Sequence, residues 1–520
     1  LAPARARELL LPHVADPASP LAGAAIAALA PTEGVGGPAR RALAARMDDV
    51  DATPEERIET ARALGRMGPS PHASQLAAYL SDRDPAVRKA ACAAAGRTLE
   101  PSLVPSLCLL LSDRTVRAAA RNALAAYGDK VVAPLSHLLD DRSRPVALRL
   151  EVPRVLRKIG TTAAARALLF SNIQEHAYLR YRIATNLSRL HDDHPEIEVD
   201  RTRLEEATLR RLRAYQYYLP AYRDLEAALP PGSLLVRAMG DRMQQNLEVI
   251  FRLLQLRHPE GQILAAWKRF SGGDARERAY ALDLLDHLLD EEMRRPILPA
   301  LECYHRLPEA WGGVPARPER APARVLEIAV SDDEVLRALA IHTARAVWPE
   351  NPPLPPGAEG DSPLDASVIE RVLHLEGAEM FARCDIDDLL ALATIGKEAS
   401  FRQGETIFRE GEEAGALYVV LEGRVRFDKG GSEVLTVGIR DVFGETSLLD
   451  SAPRPVTATA VAPEVRVLAI DRQDFLDLVA DRPELLRGVF EAVTRHLRRL
   501  IDVAAGGRPG ETAPPERRAS

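Results

Sequence analysis

The feature that most constrains this chain is a pattern that comes round three times between about residues 70 and 170. A helix with leucines at helical spacing leads into a short Asp-containing turn, and a second helix rich in Arg and Ala follows. The turns read SDRDPAVRKA (81–90), SDRTVRAAA (112–120) and DDRSRPVALR (140–149). The period is about 30 residues, that of a helical hairpin too small to bury its apolar face alone, which must stack on copies of itself. Asp82, Asp113 and Asp141 are placed to cap the second helices, and Gly96, Gly128 and Gly160 to end them as C′ glycines. Val87, Val116 and Val146 begin the inward faces. The alanines Ala90, Ala91, Ala94, Ala118, Ala119 and Ala123 let neighbouring helices approach closely.

Helical periodicity continues to about residue 305, with one long amphipathic helix expected over 234–256 and another over 274–289. Pro- and Gly-rich breaks at 307–322 and 349–363 enclose a further helix pair at 324–348. The rhythm then changes. After a helical stretch at 365–395, the runs from Phe401 to Ile470 are short, β-branched and separated by Gly or charged turns. Leu417, Val419 and Leu421 alternate as an inward face, FDKGGSEVLTV reads as a hairpin around Lys429, Gly430 and Gly431, and 465–472 is a closing strand before a return to helix. A chain of 520 residues exceeds one hydrophobic core. The expected fold class is multidomain α + β. An α-helical solenoid over 1–306 leads to a linker at 307–348 carrying one more helix pair. A Pro-rich linker at 349–364, a β-roll flanked by helices at 365–502 and a disordered tail at 503–520 complete the chain.

Several function classes are excluded. A net charge of -7, with both signs well mixed, gives no electrostatic footprint for nucleic acid. Arg and Tyr interleave over 211–224, but Glu205 and Glu206 lie beside them, so helix packing is the expectation. His191-Asp192-Asp193-His194 cannot converge on one metal ion from four adjacent positions and reads as a solvated turn. No phosphate-binding glycine loop, HExxH or GxSxG is present, and no helix-turn-helix follows the basic stretch RHLRRL (495–500). The chain is expected not to be an enzyme and to need no cofactor. Cys92, Cys108, Cys303 and Cys384 are scattered among apolar residues and are expected to be reduced, as in cytoplasm. No run approaches the ~18–20 apolar residues that span a bilayer.

The chemistry concentrates in DVFGETSLLDSAPRPVTATA (441–460). A cyclic phosphodiester fused to a ribose needs a guanidinium for its charge, backbone N–H groups from a short helix start, a carboxylate for a ribose hydroxyl and a glycine for close approach. Gly444, Glu445, the turn Thr446–Ser447–Leu448–Leu449 and Arg454 supply these in turn.

With Phe443-Gly444-Glu445, the helix from 446, then Pro453-Arg454 and Thr457, the chain resembles the cyclic-nucleotide-binding family shared by catabolite activator proteins and kinase regulatory subunits. FRQGETIFREGEEAGALYVVLEG (401–423) is similar to that family's first strands, and the repeats resemble HEAT repeats. The resemblance implies Glu445 on the ribose 2′-hydroxyl, Arg454 on the phosphate and the Ser447 backbone beside it, with Gly444, Thr446 and Thr457 completing the site. It implies cAMP or cGMP as ligand. The family pattern is departed from in three places. Pro455 has no N–H where one normally meets the phosphate, Arg440 stands where glycine is usual, and Thr446-Ser447 replace an apolar–alanine pair.

The expected function is a non-catalytic sensor that binds a cyclic nucleotide and couples it to protein partners along the solenoid. The alternative is a scaffold whose nucleotide-binding fold has lost its ligand. The architecture also resembles the cytosolic part of bacterial transporter-like proteins related to nucleotide translocases and major facilitators. That resemblance implies a membrane region ahead of Leu1 and a location at the cytoplasmic face of the inner membrane.

Overall fold

A computed structural model describes residues 3–15, 21–34, 36–49, 51–68, 72–171, 176–258, 262–272, 274–305, 316–355, 366–382, 384–445, 452–481, 490 and 494. The chain divides into two compact units. One comprises residues 1–223 and 242–317, the other 224–241 and 318–520.

In the first unit, helices Pro54–Arg66, Pro85–Thr98, Arg117–Ala126, Val152–Ile159 and Ala177–Asp193 stack in succession. Helices Ala73–Leu80, Val104–Leu109, Val132–Asp140 and Thr162–Phe170 alternate with them along the chain. The helices approach as closely as the Ala/Gly faces suggested. A methyl built on Gly65 would lie 2.7 Å from the Ala94 Cα, and one on Gly96 would lie 3.0 Å from the Ala123 Cα. Gly96 is therefore a packing residue inside its helix, not a C′ glycine. Leu99 takes the left-handed position at that helix end, with φ 55°. Gly160 does end its helix in the left-handed conformation.

The three turn aspartates do not cap the second helices. An N-cap residue must directly precede the first helical residue, and these lie too far back. Asp84 caps Pro85–Thr98 by accepting from the Ala86 N–H at 2.7 Å. Asp82, Asp113 and Asp141 accept instead from N–H groups two residues ahead, at 2.8, 2.9 and 3.0 Å. Asp82 and Asp113 also hold arginines of the preceding repeat: Arg57 reaches Asp82 at 2.8 Å and Arg88 reaches Asp113 at 2.9 Å. Further along, Arg121–Glu151 (2.8 Å) and Arg157–Asp193 (2.9 Å) continue the series. The third repeat departs from the pattern. Its second helix is broken into Val146–Arg149 and Val152–Ile159, and Leu148 and Arg149, not Val146, are buried in the first piece.

His191, Asp192 and Asp193 close the helix Ala177–Asp193 rather than forming a solvated turn; His191 is buried and Asp193 pairs with Arg157. Among the described residues no group of three or more potential metal ligands is assembled. The Tyr-rich segment packs as helix, with Leu212, Tyr215 and Leu219 in a core around Phe251 and Trp267. Cys92, Cys108 and Cys384 are free thiols, and burial pushes Cys92 up to about 12 and Cys108 up to about 11.

In the second unit, the helix pair Ala321–Ala329 and Glu334–Val347 is joined by the SDD turn, where Asp333 caps the latter helix through the Leu336 N–H. Helices Ala366–Gly377 and Ile386–Ile395 precede eight strands. These are β1 (Lys397–Arg402), β2 (Thr406–Phe408), β3 (Ala416–Glu422), β4 (Val425–Lys429), β5 (Ser432–Val437), β6 (Val442–Phe443), β7 (Thr457–Ala460) and β8 (Glu464–Asp471). They form two antiparallel four-stranded sheets, ordered β1-β8-β3-β6 and β2-β7-β4-β5. Lys429 pairs with Ser432 across Gly430 and Gly431, whose φ angles of 56° and 85° give the two-residue turn that matches strand twist. Leu417, Val419 and Leu421 are buried as expected, and Val420 is buried with them. Helix Arg472–Asp481 follows β8. The Pro-rich linker from 356 onward and the tail at 503–520 lie outside the described residues. Among those described, no helix is long and apolar enough to cross a membrane.

Candidate functional site

The site is built where the β6 end meets the segment before β7. Gly444 follows β6 directly and has φ +83°, a conformation that side chains disfavour. Space reinforces the requirement: a methyl there would lie 2.6 Å from Arg454 Nη1 and 3.1 Å from the Ala416 carbonyl oxygen. Arg454 is fixed through its backbone, which donates to the Glu412 carbonyl at 2.8 Å and accepts from the Gly411 N–H at 2.9 Å. The turn 409–412 is thereby clamped to the Pro453–Arg454–Pro455 segment. Thr457 secures the same turn, its hydroxyl accepting from the Glu410 N–H at 3.0 Å.

Arg454 is 3% exposed, and its guanidinium is held by neighbours on several sides. It donates to the Ala416 carbonyl at 2.5 Å and reaches the Gly444 carbonyl at 3.5 Å. It lies 4.2 Å from the centroid of Phe408 and 5.6 Å from that of Tyr418. Beneath it, Phe408, Tyr418, Phe427 and Phe443 form one aromatic cluster, with Tyr418 and Phe443 stacked at 5.0 Å. Burial draws the guanidinium pKa below its ordinary value, while Tyr418, Glu412 and Glu445 pull it back up. Glu445 is itself 4% exposed. A buried carboxylate, and a buried guanidinium that lies on an aromatic floor and feels its charge, can meet a hydroxyl and an anion together, provided the guanidinium exchanges its carbonyl partners for the ligand.

The structure brings Gly444, Glu445 and Arg454 together and sets Thr457 at the adjoining turn. Thr446 and Ser447 lie outside the described residues. Pro455 is exposed. Arg440 adopts φ +72°, which explains why a glycine suits that place. Its side chain runs over Gly377, where a methyl would come within 2.5 Å of Arg440 Cδ. Sequence reasoning missed Phe408, Tyr418, Glu412 and the Ala416 carbonyl. The alternation of β3 could have signalled Tyr418, a half-buried aromatic between fully buried Leu417 and Val419.

Residues 398–482 match the family model for the cyclic nucleotide-binding domain, and residues 40–125 match that for HEAT repeats. A CRP-like cAMP-activated global transcriptional regulator of Mycobacterium tuberculosis is 33% identical over 148 residues, covering 27% of this chain and 66% of that protein. A cAMP-dependent protein kinase regulatory subunit of Debaryomyces hansenii is 28% identical over 142 residues, covering 27% of this chain and 31% of that protein. Among solved structures, the N-terminal domain of a transcriptional regulator from Streptomyces coelicolor A3(2) is 32% identical. It covers 27% of this chain and 99% of that one, with a TM-score of 0.22. The chain thus spans less than two thirds of the length of either curated relative.

Proposed function

We propose that the chain, in which a region of HEAT repeats is followed by a cyclic nucleotide-binding domain, is a non-catalytic regulatory module whose β-roll takes cAMP or cGMP. Glu445 would accept from the ribose and Arg454 would meet the phosphate. Gly444, Thr446, Ser447 and Thr457 would shape the remainder of the seat, and the HEAT repeats would offer a surface to protein partners. The observation that carries this reading is the approach of buried Arg454 to Gly444, whose missing side chain leaves room for the guanidinium, with buried Glu445 next in the chain. The relatives named for cAMP support the choice of ligand.

One observation favours a second reading, in which the fold is retained and the ligand lost. Arg454 already directs one donor from each terminal nitrogen to the Ala416 and Gly444 carbonyls, and Pro455 removes a further phosphate donor. The lost hydrogen bond is worth about 1.5–3 kcal/mol when made to a charged group. Titration calorimetry of the full chain with cAMP and with cGMP separates the two. Saturable heat abolished by Arg454→Ala supports the sensor, and no heat at millimolar nucleotide supports the silent scaffold. Continuity with a membrane region ahead of Leu1 is a further part of the proposal. It is tested by reading the gene upstream for apolar helices.

A further inference from the structure

The HEAT-bearing unit holds a cleft of about 330 Å³, within the range that takes a small organic molecule. Four helices enclose it, and each contributes at helical spacing. Ile183, Ala184 and Leu187 of Ala177–Asp193 line its apolar part with Val249 and Leu253 of Leu234–Arg257, while Thr162–Phe170 offers its last turn. Its polar part is of one sign: Arg180 comes from the first of these helices, and Arg203, Arg210 and Arg211 come from Arg201–Ala228. The only carboxylate among the cleft's described lining residues, Glu206, is bridged by Arg203 at 2.8 Å.

Arg211 is the telling member. It is 8% exposed, and the charges acting on it most strongly, Arg180 and Arg210, are repulsive. Together with burial they draw its pKa down to about 9. Cations gathered at the mouth of an apolar cleft set up a positive potential that draws an anion in. The guanidinium plane suits a carboxylate or phosphate, whose two oxygens it can meet at once. The apolar wall opposite would gain from burying a hydrocarbon body.

We propose that this cleft binds a small amphipathic anion, a carboxylate or phosphate head carried on an apolar body, with Arg180, Arg210 and Arg211 around the head. The site is separate from the nucleotide seat and does not depend on it.

The test uses the full chain and the fluorescence of anilinonaphthalene sulfonate, an apolar dye with an anionic head. Saturable binding is expected, displaced by octanoate or octyl phosphate but not by octanol. The better of the two displacers identifies the head. Inorganic phosphate alone should compete at least tenfold more weakly than octyl phosphate. The exposed Arg210→Gln and the half-buried Arg180→Gln should each weaken dye binding about tenfold, and Ala207→Phe should abolish it by filling the cleft. Thermal melts that match the parent show the variants are folded; if Ala207→Phe melts early, the two arginine variants decide. Octanol competing as well as octanoate, or dye binding unchanged in both arginine variants, would overturn the proposal.

Discussion

Arg454 Nη1 lies 3.5 Å from the Gly444 carbonyl oxygen, and a methyl group built on Gly444 would come within 2.6 Å of that same nitrogen. The residue that turns the chain after β6 is thus also the residue that gives the guanidinium its place. Gly444→Ala carries a double penalty, a left-handed backbone and a clash with a buried side chain. It should lower stability by about 1–3 kcal/mol, measured from urea midpoints, and abolish nucleotide binding.

Arg454 distinguishes structure from recognition. Arg454→Lys keeps a charge but loses the fork and the flat contact on Phe408 and Tyr418. The Ala416 carbonyl would lose its partner, a loss of about 1–3 kcal/mol in urea unfolding. Calorimetry should show no nucleotide heat even where the variant remains folded.

Pro455→Ala restores an N–H at an exposed position. Stability should change by less than about 1 kcal/mol. If the regained N–H reaches the phosphate, affinity for cAMP rises about tenfold, the equivalent of ~1.4 kcal/mol. An unchanged titration would mean that this backbone position does not face the ligand.

Asp241 gives a pH dependence. It accepts from the Ile386 N–H at 2.7 Å, and burial, then the neighbouring Asp385, push its carboxyl up to about 7. A carboxyl raised above its unfolded value of 3.8 binds its proton more tightly in the fold. Its stabilising effect is therefore complete below about pH 4 and is lost as pH rises towards 7. Urea midpoints of Asp241→Asn should fall less between pH 5 and pH 8 than those of the parent. Parallel curves would sink the assignment.

What the sequence made legible follows from how local each signal is. The β-roll's hairpin, its alternating β3 and the Gly444–Glu445–Arg454 spacing are short-range patterns, and the structure preserves them. The solenoid's caps went astray for a related reason. Asp82 and Asp113 look like caps in one dimension, but Arg57 and Arg88, 25 residues earlier in each case, claim them as cross-repeat partners. The carbonyl and aromatic partners of Arg454 were hidden because Ala416, Phe408 and Tyr418 lie 36 to 46 residues away, on strands whose pairing only the folded sheets bring about.

Tyr418, set against the Arg454 guanidinium, is the only tyrosine from residue 366 to the C-terminus, and no tryptophan occurs in that span. The roll therefore carries a single tyrosine ring, and that ring sits beside the arginine. Fluorotyrosine incorporated throughout the chain would give one NMR resonance from this neighbourhood, assignable by Tyr418→Phe. Its shift on adding nucleotide would report the guanidinium leaving its carbonyls, with one fluorine as the only addition to the native ring.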